Sequence, residues 1–136
     1  MKIRHILAIS ALSIMASVAY AGLTQPAPVD VDLVNFFAQG DQLTARTSAG
    51  DTEFIGCGSR TFDDGLGGSF KFGFCQAEDA DGDNITCFTQ NPVLIDAMRS
   101  TSDYAYITFS WQDDGAGGAE CIRVGHSTQS FYLPKK

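Results

Sequence analysis

Between Val29 and the C-terminus, apolar and polar residues alternate in short runs that are broken by pairs of aspartate and glycine. The runs span about 29–37, 42–48, 52–61, 69–76, 84–89, 103–111 and 120–126, with a further candidate at 129–133. A period of two is the signature of a strand with one face turned inward. The interruptions at Gly40-Asp41, Gly50-Asp51, Asp64-Gly65, Asp81-Gly82 and Asp114-Gly115 are turn candidates, because Asp and Gly tolerate the positive φ of tight hairpins. The pattern predicts a mainly β domain: an antiparallel sandwich or small barrel or meander of about seven strands.

Alternation also assigns faces. In Ser69 to Gln76, Phe70, Phe72 and Phe74 share one side, and Lys71, Gly73 and Cys75 share the other. A symmetric hairpin about Asp114-Gly115 sets Ile107 opposite Val124 and Phe109 opposite Ile122, with Trp111 on the same face, and this set is the expected core. Tyr104, Tyr106, Thr108 and Arg123 then fall on the opposite face. Tyr104, Tyr106 and Arg123 are therefore candidates for a ligand or partner surface, since amphipathic rings and Arg serve well as contact anchors.

One segment departs from this period. Asn91 followed by Pro92, with apolar residues at 94, 95 and 98, predicts a short amphipathic helix over about 91–100, capped by Asn91 and opened by proline. At the start of the chain, Lys2, Arg4 and His5 precede an apolar stretch from Ile6 to Val18, then Ala19-Tyr20-Ala21. Residues 1–21 thus read as a secretory signal peptide with an A-x-A cleavage site, too short to span a bilayer. Gly22 to Pro28, with prolines at 26 and 28, reads as an extended leader, and residues 29–136 as a single β-rich domain.

Without Lys2 and Arg4 the chain keeps seven basic residues against 16 acidic ones, a formal charge of −9. That field repels phosphate backbones and anionic lipid, so neither nucleic acid nor membrane insertion after cleavage is expected. The expected address is exported, periplasmic or extracellular. Cys57, Cys75, Cys87 and Cys121 form an even set in an exported chain and are expected to be disulfide-bonded, as Cys57–Cys75 and Cys87–Cys121, although hairpin symmetry also sets Cys75 across from Cys87. Their spacing contains no C-x2-C pair, which argues against zinc.

No cofactor is required by any motif, and calcium is the one candidate. Asp79, Asp81, Asp83 and Asn84 place oxygen-bearing side chains in the way calcium loops do, but Asn84 stands where such a loop has glycine and Gln90 where it has its bidentate glutamate. A plain polar turn at Asp81-Gly82 explains the same residues. The sequence Asp63-Asp64-Gly65-Leu66-Gly67-Gly68 is echoed by Asp113-Asp114-Gly115-Ala116-Gly117-Gly118, one loop solution used twice; paired aspartates are unsuited to cradling phosphate. His126 is the one histidine beyond the leader, with no motif for an orienting partner or nucleophile. The expected function is a secreted, non-enzymatic structural or interaction protein with a protein or carbohydrate partner. The alternatives are a calcium-assisted carbohydrate- or ligand-binding module and, third, a small secreted hydrolase; oligomeric state is left open.

Overall fold

The computed structural model describes residues 22–135, so the signal-peptide reading of residues 1–21 lies outside the described residues. The elements are β1 (Asp30–Asp32), β2 (Phe37–Asp41), α1 (Gln42–Arg46), β3 (Phe54–Asp63), β4 (Ser69–Glu78), β5 (Asn84–Thr89), α2 (Pro92–Arg99), β6 (Tyr106–Asp113) and β7 (Ala119–Ser127), with a 3-10 turn at Ser130–Tyr132. The protein is mainly β: one seven-stranded sheet in the order β1-β2-β6-β7-β5-β4-β3. Every neighbouring pair is antiparallel except β5 and β7, which run parallel and meet at the single pair Phe88 and Glu120. The sheet curls, bringing β1 against β4 and β2 against β3. A hydrogen bond from the Val31 N–H to Asp79 Oδ2, 3.3 Å, ties one edge to the far side of the sheet.

The concave face is the core. Val31, Ala38, Ile55, Cys75, Ala77, Cys87, Ile107, Phe109, Trp111 and Cys121 are buried there. Helix α2 closes it by seating Ile95 and Met98 inward, the positions that its apolar spacing predicts. Gly73 makes this approach feasible: a Cβ there would collide with Met98 Sδ and come within 3.1 Å of Ile95 Cγ1. Asn91 caps the helix by accepting from the Val93 N–H, with Pro92 at its start. The disulfides join the directly opposed Cys57 and Cys75 of β3 and β4, and Cys87 of β5 to Cys121 of β7.

Several local expectations are corrected. Residues 42–48 do not form a strand. Asp41 accepts from the Thr44 N–H and hydroxyl and starts the one-turn helix α1, while Gly40-Asp41, expected as a turn, lies at the end of β2. The run 29–37 is split into β1 and β2 by a turn in which Asp32 accepts from the Val34 and Asn35 N–H groups. Residues 130–132 form a 3-10 turn instead of a strand. The β6–β7 hairpin is closed by five residues and carries a bulge, so Phe109 faces Val124, Ile107 faces His126 and Trp111 faces Cys121. Ile122 is the unpaired residue of the bulge and is 49 % exposed, not core. The leader is extended, and it is fastened by paired bonds between Ala27 and Asp41 and by one from the Gln25 N–H to the Phe131 carbonyl.

Candidate interaction face

The cysteines determine which side of the sheet faces outward. Cys75, Cys87 and Ala77 are fully buried and Gly73 beside them is buried; the phenylalanines between must then turn away from the core. The register places Phe62 opposite Phe70, Arg60 opposite Phe72, Gly58 opposite Phe74, and Phe74 opposite Phe88. All lie on the convex face. Phe62, Phe70 and Phe88 are 45 %, 56 % and 51 % exposed, and Leu66 at the tip of the β3–β4 hairpin is 92 % exposed.

These rings form one connected cluster. Phe62 and Phe70 stack with centroids 5.0 Å apart and planes at 12°, Phe72 lies 5.9 Å from Phe62, and Phe88 meets Phe72 edge-on at 5.8 Å. The Arg60 guanidinium sits 5.2 Å from the centre of the Phe74 ring, which lies so close over Gly58 that a Cβ there would come within 3.1 Å of it. Such pairs gain about 0.5–1.5 kcal/mol beyond area burial, which stabilises a cluster that the core does not support. Exposed aromatic rings gathered in this way are a candidate contact surface. The outer half of the hairpin is exposed on both faces, with Thr61 and Lys71 opposite the rings, so the cluster stands clear of the body.

The sequence-predicted site residues are not gathered in one place. Tyr106 lies on the convex face, donates its hydroxyl to Gln39 Oε1 at 2.5 Å and stacks on Tyr132, 5.7 Å between centroids. Burial, reinforced by Tyr132 and Asp30, raises its pKa above the usual 10. Tyr104 belongs to the turn before β6, with φ of 59°, and is exposed. Arg123 is on the convex face over the Phe37 ring, 5.7 Å away, four residues along β7 from the residue paired with Tyr106.

The acidic loops are one structure used three times. In each, an aspartate donates its N–H to the carbonyl four residues on and accepts, through Oδ1, from the N–H groups two and four residues on. These are Asp64 with Leu66 and Gly68, Asp79 with Asp81 and Asp83, and Asp114 with Ala116 and Gly118. The residue three places after each aspartate is a glycine at positive φ: Gly67, Gly82 and Gly117. Donation from their own loops holds the Asp64 and Asp114 carboxyls below the ordinary aspartate value. The second oxygen of Asp79 takes the Val31 N–H, which leaves this carboxylate engaged on both oxygens. Asp81, Asp83 and Asn84 are exposed, and Asn84 donates to the Gly82 carbonyl. Among the described residues no three His, Cys, Asp or Glu side chains gather closely enough to hold a metal ion. Loops 79–83 and 114–118 precede the parallel strands β5 and β7 and share one end of the sheet, with loop 64–68 at the other.

His126 is partly exposed on β7, opposite Ile107. Compared with known families, curated proteins and solved structures, the chain finds no match in any of the three. Among the described residues, no helix is long and apolar enough to cross a membrane.

Proposed function

We propose that this is an exported, non-enzymatic binding protein that holds a protein partner against the phenylalanine face of its sheet. The observation that carries the reading is the convex-face cluster in which the exposed Phe62, Phe70 and Phe88 gather around a half-buried Phe72, extended to the exposed Leu66 at the tip of the hairpin. Aromatic side chains supply large contact area at low conformational cost, and interface hot spots are built from them. The two disulfides fit an oxidising, exported environment.

A protein partner is favoured over a sugar by the ring geometry. Stacking on a sugar needs open ring faces, whereas Phe62 and Phe70 turn theirs toward each other. The reading makes no use of calcium, since the Asp79 carboxylate is already occupied by backbone donors. The test is the double variant Phe62→Ser/Phe70→Ser, compared with the parent for co-fractionation with its partner in extracts of the cells that export it. It should fold and oxidise like the parent and lose the association. An unchanged elution profile for the folded variant overturns the reading.

A further inference from the structure

The junction of β5 and β7 leaves a strand edge open. Because the two strands share only the pair Phe88 and Glu120, the part of β5 that precedes Phe88 is paired with β4 on one side and with no strand on the other. Asp79 donates to the Asp83 carbonyl at the head of the β4–β5 hairpin, which fixes the ladder: Ala77 with Ile85 and Cys75 with Cys87 are the hydrogen-bonded pairs. Asn84 and Thr86 therefore turn their N–H and carbonyl groups away from β4, into the gap.

The gap is a cleft between β5 and loop 114–118. On the convex side it holds about 510 Å³ against Phe72, Thr86, Phe88, Asp114 and Glu120. Through the seam at Thr86, Gly118 and Ala119 it continues into about 300 Å³ against Phe36, Trp111 and Asp113. Each half thus pairs aromatic walls with carboxylates, and no basic side chain lines either. An added strand sends successive side chains alternately to the two sides, matching the division of the cleft.

We propose that this cleft takes an extended segment of a partner protein, added to the edge of β5 at Thr86, with apolar side chains on one side against Trp111 and, on the other, a lysine or arginine against Asp114 and Glu120. The proposal rests on the reading of the phenylalanine face as a protein-binding surface and names the chemistry of what binds there. Main-chain pairing supplies affinity in such additions, and the pockets for alternate side chains supply selectivity. The acidic lining selects a cationic segment and disfavours lipid phosphate and nucleic acid.

The probe is a blocked ten-residue peptide of alternating valine and lysine, titrated against the disulfide-bonded protein from Gly22 onward. Fluorescence anisotropy measures affinity, and amide NMR locates the site. The Thr86 amide should become protected from exchange. A valine–glutamate peptide, or the valine–lysine peptide N-methylated at alternate amides, should bind at least tenfold more weakly. Thr86→Pro removes the outward N–H, at the cost of a fixed φ, and should weaken binding at least tenfold, with Thr86→Ala unchanged; Glu120→Gln should weaken it severalfold. No binding at millimolar peptide, or binding indifferent to N-methylation, overturns the proposal, and the N-methylated ligand decides the matter even if Thr86→Pro fails to fold. Phe62 and Phe70 lie outside the cleft, so loss of the cellular partner in the Phe62→Ser/Phe70→Ser variant, together with a silent peptide, would sink this inference alone.

Discussion

Asp79 separates a loop built on backbone hydrogen bonds from one built around a cation. It is 9 % exposed and accepts three N–H groups: Asp81 and Asp83 at 3.0 Å through Oδ1, and Val31 at 3.3 Å through Oδ2. Asp79→Ala removes both acceptor oxygens and with them all three bonds. At about 1 kcal/mol for each bond, and more where a buried N–H is left unpaired, the cost should be roughly 2–4 kcal/mol. For a domain of this length each kcal/mol moves Tm by about 4 °C, so the midpoint should fall by roughly 8–16 °C. Asp79→Asn keeps the Oδ1 acceptor for the two loop donors and presents an amide nitrogen to Val31; it should lose only about 1 kcal/mol. Thermal unfolding of the oxidised proteins at neutral pH, in millimolar calcium and again in chelator, gives all the terms. The order should be parent, then Asn, then Ala, with each curve indifferent to calcium. An Asn variant as damaged as the Ala variant, or a parent stabilised by calcium, would refute the argument from backbone donors.

Gly73→Ala should destabilise the domain by about 1–3 kcal/mol in urea unfolding, because the new methyl meets Met98 and Ile95 and α2 must retreat; an unchanged midpoint would show that α2 is not held against β4. The Asp64 and Asp114 carboxyls, followed by carboxyl-carbon NMR, should titrate below the ordinary aspartate value, since their loop N–H groups favour the charged form. Their folded pKa lies below the unfolded one, so their contribution is present above the unfolded value of about 3.9 and is lost as pH falls through the folded value. Ordinary titration of both would contradict the loop geometry.

Much of the architecture was legible because period and punctuation agreed. Strand β5, helix α2 with its Asn91 cap, and the oxidation of all four cysteines follow from alternation, from N-terminal capping and from an even cysteine set, whereas the choice of partners was one of three that the sequence allows. Residues 42–46 misled because one helical turn is shorter than the period that would reveal it, and the deciding feature is the Asp41 side chain. Ile122 misled because a bulge moves one residue out of register and thereby to the other face. The phenylalanine face was missed for a different reason: alternation separates two faces but does not say which is inside. The signal was present in the small partners. Gly73, Cys75 and Ala77 leave room for a packed helix, and disulfide sulfurs are commonly buried, so that face is the inner one and the rings must be outside.

The most direct test of the central claim is site-specific photocrosslinking in the exporting cell, with a benzophenone side chain placed at Phe70 and, as a control, at Lys71 on the opposite face of the same strand. Both positions are exposed, so both tolerate the probe. The account predicts a discrete protein adduct from position 70 and none from position 71, whether the partner is another protein or a second copy of this chain. Equal adducts from the two positions, or none from position 70, would contradict it.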